Sequence, residues 1–177
     1  MQRHADVIIC GAGIAGIAAA YYLATHQQIG DVIIIDKLPP LSLTSAKSGE
    51  NYRNWWPTPV MVDFMNRSIE IMDELADATN NLFNMERRGY AYVTADPSFA
   101  DEIDGYLYPY RQSGLTDIRV HDQRGNASAA PYVFSPNTDY DNLHGDADVL
   151  LDQRLIRASF PHLATKTRAV VHARRCG

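Results

Sequence analysis

The hydrophobic and polar positions divide the chain into short runs of different period. Asp6 leads into the β-branched run Val7-Ile8-Ile9-Cys10, which breaks at Gly11. From Ile14 to about Thr25 the residues Ile14, Ile17, Ala18, Tyr21 and Leu23 or Ala24 recur with helical period, which predicts a helix with that stripe buried. Asp31 then opens Val32-Ile33-Ile34-Ile35, a run without polar alternation, as in a parallel strand covered on both faces. Strand, glycine turn, helix and strand in this order predict a βαβ unit. Further on, Val60 to about Asn80 is helical, with Met61, Phe64 or Met65, Ser68 or Ile69, Met72 and Leu75 or Ala76 on one face, a methionine stripe that reads as core. Gly89 to Thr94 alternates with one aromatic face, which suits an antiparallel sheet. Asp96-Pro97 reads as a capped helix start, with Phe99, Ile103, Leu107 and Tyr110 buried and Gly114 at the end. Asp117 to His121 and Val149 to Leu151 are short strands. Asp152 caps a short helix through Phe160, stopped by Pro161, and Ala164 to Arg175 holds a strand centred on Val170 and Val171. Between them, 123–145 has turn residues without period and reads as a long surface loop.

The chemistry sits in the first turn. Gly11-Ala12-Gly13-Ile14-Ala15-Gly16 fits G-x-G-x-x-G where a strand passes into a helix. Gly11 serves the tight turn, Gly13 admits a pyrophosphate close to the backbone, and Gly16 lets the helix lie on the strand. The unpaired N–H groups and positive dipole end of the helix suit a diphosphate. Asp36 ends the second strand, where an acid takes ribose hydroxyls and disfavours a 2′-phosphate. The apolar stretch Val7 to Ala24 has the length of a membrane span or signal segment. Its three interrupting glycines, the preceding Asp6 and the strand that follows argue for the dinucleotide turn instead.

Lys37-Leu38-Pro39-Pro40-Leu41 ends regular structure, and Thr44 to Arg53 is densely polar. That segment reads either as a solvated loop with a helix cap or as a second phosphate and flavin contact. In the second reading Ser45 and Ser48 donate hydroxyls and Arg53 or Lys47 supplies positive charge. The glycine turn, the pair Asp36-Lys37, the Ser-x-x-Ser-Gly segment (Ser45 to Gly49) ending in arginine and the run Arg53-Asn54-Trp55-Trp56-Pro57 resemble the N-terminal portion of FAD-dependent oxidoreductases of the D-amino-acid oxidase and sarcosine oxidase type. The resemblance implies FAD as cofactor, with Ser45, Ser48, Gly49, Asn51 and Arg53 beside the pyrophosphate and the flavin ring. It also implies an amine or amino acid as substrate and a substrate domain for the later strands.

With 177 residues, 46% hydrophobic and 21% charged, the chain has the composition of a globular domain. A net charge of −5 offers no basic face for nucleic acid. The 2 cysteines form no disulfide framework: Cys10 fits a small buried position at the end of its strand, and a reducing, cytoplasmic setting is expected. The 6 histidines lack metal-ligand spacing, so no metal is assigned. Lys166, Arg168, Arg174 and Arg175 read as solvated, and Trp55 and Trp56 as packing residues.

The fold expected is α/β: a Rossmann-like FAD-binding βαβ unit followed by part of an antiparallel substrate-domain sheet. The division falls at residues 1–85 and 86–177. No second strand-helix-strand crossover follows Asp36, so the chain is expected to be an N-terminal part of a longer enzyme. The function expected is flavin-dependent oxidation of an amine or amino-acid C–N bond, with no catalytic acid, base or nucleophile assigned. An NAD-linked dehydrogenase and a non-catalytic ADP-binding remnant are the alternatives.

Overall fold

A computed structural model describes residues 4–122, 131–134 and 145–177. The chain forms two compact units, one up to Glu50 and one from Asn51 onward. In the first, β1 (Val7–Cys10) and β2 (Val32–Ile35) pair in parallel, Val7 opposite Val32 and Cys10 opposite Ile35. The helix α1 (Ile14–His26) lies on both strands. Its expected stripe is only partly buried: Ile17, Ala18 and Leu23 are half-buried, whereas Ile14, Tyr21 and Ala24 are exposed. Among the described residues this sheet has two strands, so α1 covers a narrow platform. For the same reason Ile8 and Ile35 stay 58% and 53% exposed, and Cys10 is exposed where a buried thiol was expected.

The second unit is built on α2 (Pro59–Ala78), β3 (Tyr90–Thr94), α3 (Ile103–Gln112), β4 (Ile118–His121), β5 (Ala147–Leu150), α4 (Gln153–Ser159) and β6 (Ala169–Ala173). The strands form one sheet in the order β3-β6-β5-β4. β6 runs antiparallel to β3 and β5, but β4 runs parallel to β5, so the sheet is mixed where an antiparallel one was expected. Parallel neighbours cannot be joined by a hairpin, and β4 and β5 are separated in the chain by residues 122–146. Most of the expected 123–145 loop lies outside the described residues.

One face of this sheet carries Val149, Val171 and Ala173, packed with Trp55, Val62, Leu107 and Leu115 and flanked by Tyr90 and Tyr92. Trp55 is 2% exposed and stacks on Tyr110 with ring centroids 4.2 Å apart. In α2 the buried line is Val62, Ile69 and Ala76, with Met65 and Met72 beside it, while Phe64 faces solvent. Val62 belongs to the sheet core, and Ile69 and Ala76 cluster with Tyr52 and Met85. The contacts therefore group α2 with the sheet, and the compact units divide after Glu50. α3 begins later than expected. Asp96 accepts from Ser98 N and Ser98 Oγ, both at 2.9 Å, and so closes a turn ahead of the helix that starts at Ile103. Asp152 does cap α4, accepting from Arg154 N at 2.8 Å. Residues 52–54 run antiparallel to 175–177: Tyr52 N donates to Gly177 O (2.9 Å), Gly177 N to Tyr52 O (3.1 Å) and Asn54 N to Arg175 O (3.3 Å).

The opposite face of the sheet is charged. Asp148, 0% exposed, accepts from Arg119 Nη2 (2.8 Å), His121 Nε2 (2.6 Å) and Arg174 Nε (2.5 Å). Burial pushes its pKa up, but His121, Arg119 and Arg174 outweigh that and hold it at about 2. Arg174 was expected in solvent and is 3% exposed, because it is needed against this carboxylate. Arg174 Nη2 also donates to Val133 O at 2.9 Å, and Tyr132 Oη bonds His172 Nδ1 at 3.0 Å. Burial, helped by the neighbouring Arg174 charge, lowers the His172 pKa to about 4, so the ring is neutral at neutral pH.

Candidate dinucleotide site

The polypeptide leaves β1 at Gly11, whose φ of +113° suits glycine, and Gly11 N donates to Ile35 O at 2.8 Å. The ladder between β1 and β2 thus extends one bond into the turn. A Cβ at Gly16 would sit 1.9 Å from Gly11 O and 3.3 Å from Ile9 Cγ2, so the first turn of α1 rests on the strand end only because this position has no side chain. Gly13 is different. Its backbone is extended (φ −78°, ψ 179°), and a Cβ there would meet only Ser45 Oγ, at 3.7 Å. Protein packing does not demand glycine at 13, and the space in front of its backbone is open. α1 has no acid within its own first turn, and its positive end faces that space.

Asp36 is tied directly to the turn. Its Oδ2 accepts from Ala12 N at 2.7 Å and its Oδ1 from Leu38 N at 2.9 Å. These two backbone donors, Ala12 first, hold its pKa below the usual carboxylate value. The side chain is a fixed anion beside the glycine turn, and each oxygen keeps acceptor capacity for a hydroxyl. The loop after β2 folds back: Leu41 N donates to Ala12 O at 2.9 Å, and Ser45 Oγ accepts from Ile14 N at 3.2 Å. Ser45 lies in the short 3-10 turn Thr44–Lys47. By accepting from the helix N-terminus it keeps its own proton free to donate.

Ala12, Gly13, Asp36, Leu41, Thr44 and Ser45 are among the residues that line a cavity of about 150 Å³. Of the residues singled out in the sequence, the structure gathers Gly11, Ala12, Gly13, Ile14, Gly16, Asp36 and Ser45 around this turn. Ala15 and Lys37 are exposed beside it. Ser48 makes a local turn, accepting from Glu50 N at 3.1 Å, and Gly49 is exposed. Asn51 and Arg53 belong to the second compact unit, where the Arg53 guanidinium lies 4.8 Å from the Trp56 ring centroid. Leu41, Ser42 and Thr44 were not singled out in the sequence, and they line the cavity in the loop that Leu41 N ties to Ala12 O. Among the described residues no group of His, Cys, Asp or Glu is placed to hold a metal ion. No described helix is long and apolar enough to cross a membrane.

An anion cradle at a helix N-terminus, open where Gly13 lacks a side chain and flanked by a carboxylate, has the chemistry that the ADP part of a dinucleotide requires. The comparisons agree with that reading. The glycine oxidase of Bacillus cereus ATCC 14579 has a similar fold, with a TM-score of 0.65 at 17% identity over 98% of this chain and 41% of that one. This chain thus spans under half the length of that protein. The family described as FAD dependent oxidoreductase (DAO) matches residues 6–175. The chain belongs to this family, and its cofactor is FAD.

Proposed function

We propose that the glycine turn holds the ADP part of FAD and that the chain serves an enzyme that oxidises the C–N bond of an amine or amino acid. The observation that carries the first half is the open space at Gly13 between the N-terminus of α1 and Asp36. FAD, when bound, supplies the acceptor for the hydride. The chain's own groups bind and orient. The N–H groups at the start of α1 and the Ser45 hydroxyl address the diphosphate. Asp36 keeps the turn in shape through Ala12 and offers its remaining lone pairs to the ribose. Ser48, Gly49, Asn51 and Arg53 are proposed to lie nearer the flavin ring. The substrate class rests on the family and on the name of the glycine oxidase that shares the fold.

The experiment is an absorbance spectrum of the purified chain after incubation with FAD and desalting, with ADP as competitor, followed by a panel of amines and amino acids under single-turnover conditions. Flavin bands that survive desalting and are displaced by ADP support the cofactor site, and bleaching by one substrate class identifies it. A chain that retains neither FAD nor ADP refutes the site. Retained flavin reduced by none of the panel refutes the substrate class.

A further inference from the structure

Charge is distributed unevenly along this acidic chain. Residues 153–177 hold 6 of its 16 Lys and Arg and none of its 21 Asp and Glu. Four of these cations, Arg154, Arg157, Lys166 and Arg168, are exposed on α4 and on the turn that leads to β6. Among the described residues none of the four joins an ion pair. The nearest acid in sequence, Asp152, caps α4, accepting from Arg154 N. Other exposed cations are matched only in part: Arg67 faces Glu70 and Glu74, and Arg111 faces Asp104, whereas Lys37 and Lys47 stand singly without an ion pair among the described residues.

The same elements enclose a cleft of about 230 Å³ with Ile156, Phe160, Pro161 and Leu163 in its wall and Arg157 at its side. Thr165 and Thr167 line it too, and Lys166 and Arg168 adjoin them in the chain. Its shape is fixed, because Gln153 Nε2 bonds Arg168 O at 2.8 Å and Arg168 N bonds Thr94 O at 2.8 Å, which ties α4 and the turn to the sheet. A cavity of roughly 150 Å³ accepts benzene, so this one admits a single large apolar side chain.

We propose that this cleft is a docking site for an acidic peptide segment of a partner protein, anchored by one large apolar side chain and held by Arg154, Arg157, Lys166 and Arg168. Two observations select a peptide over an anionic membrane. A bilayer surface is flat and cannot fill a concavity. The chain as a whole carries −5 and is repelled by an extended anionic surface, whereas a short peptide experiences only the field within about 8 Å of the patch. The site stands independently of the dinucleotide turn.

The test uses the full chain and three fluorescein-labelled peptides: an acidic one with a central leucine, the same with alanine, and a lysine analogue. Anisotropy titrations should show the leucine peptide binding about tenfold tighter than the alanine one, from burial of its side chain. The lysine analogue should not bind. Arg157→Glu with Lys166→Glu should weaken the leucine peptide at least about tenfold, while Arg67→Glu on α2 leaves it unchanged. Ala164→Trp, at an exposed position on the rim, should remove the advantage of leucine over alanine without unfolding the chain. Equal binding of the leucine and alanine peptides, equal effects of the patch and Arg67 variants, or no peptide binding would each overturn the proposal. Binding to vesicles containing phosphatidylserine with none to the peptides would also overturn it and assign the patch to a membrane surface.

Discussion

Gly13→Ala separates what folding needs from what the ligand needs. The residue has extended dihedrals that alanine adopts freely, and its new methyl would meet only Ser45 Oγ at 3.7 Å, an ordinary contact. Less freedom in the unfolded chain stabilises such a variant by roughly 0.4–1 kcal/mol. The poorer capping by alanine removes a similar amount. The melting temperature should therefore move by no more than a few degrees. Binding should respond strongly, because in the proposed site the methyl stands where a diphosphate oxygen would approach the backbone. Loss of one or two charge-assisted hydrogen bonds, each about 1.5–3 kcal/mol, weakens ADP or FAD by roughly 10-fold to 1,000-fold. Calorimetric titration with ADP beside a thermal melt measures both quantities. Wild-type affinity in the variant would refute the cradle, and a collapse of the melt would refute the claim that packing leaves this position free.

Gly16→Ala should behave in the opposite way. Its Cβ would overlap Gly11 O at 1.9 Å, a backbone atom that cannot swing aside, so α1 must lift from β1 at a cost of at least about 1–3 kcal/mol. Faster hydrogen exchange in Val7–Cys10 and Val32–Ile35 would report it, and unchanged protection would refute it. His172 gives the chain an acid-sensitive stability. The folded ring has a pKa of about 4 against the usual 6.5, so its contribution is whole above pH 6.5 and falls away as pH drops toward 4. The loss reaches roughly 3 kcal/mol at its full extent. Urea midpoints at pH 7 and 4.5 should differ by more in the wild type than in His172→Gln, and equal differences would contradict the assignment. Asp148→Asn leaves Arg119 and Arg174 on the sheet without their shared countercharge and should destabilise by about 3–5 kcal/mol. Arg67→Ala at an exposed pair should change stability by under about 1 kcal/mol. A denaturation midpoint for Asp148→Asn close to wild type would refute the charge argument.

The dinucleotide turn was legible in the sequence because its signals are local. Three glycines, a β-branched run on either side and Asp36 fix the strand, turn, helix and strand without reference to anything distant. The cap of α4 by Asp152 was legible for the same reason. What escaped the sequence depends on tertiary partners. Nothing local says that Arg174 faces a carboxylate contributed by another strand, since lysines and arginines in a row look alike until Asp148 is placed opposite. The parallel relation of β4 to β5 was hidden because a short strand carries no mark of its direction. The α1 stripe was read as fully buried from its period, but period reports which face is apolar and not how wide the surface beneath it is. Asp96 with Pro97 carries the signature of a helix start, yet Ser98 satisfies the aspartate first and the helix begins a turn later.

The pairing of residues 52–54 with 175–177 also sets how the second unit responds to force. Tension applied at Asn51 and Gly177 enters at the same end of this short ladder, so its bonds are loaded one after another and open as a zipper. Pulled instead along the strand direction, from Tyr90 at one end of β3 to Ala169 at the other end of β6, five residue pairs share the load at once. The unit is mechanically soft at its own ends and stiff across its sheet, and a tether attached at the ends would peel Tyr52 and Gly177 apart while the sheet behind them still holds.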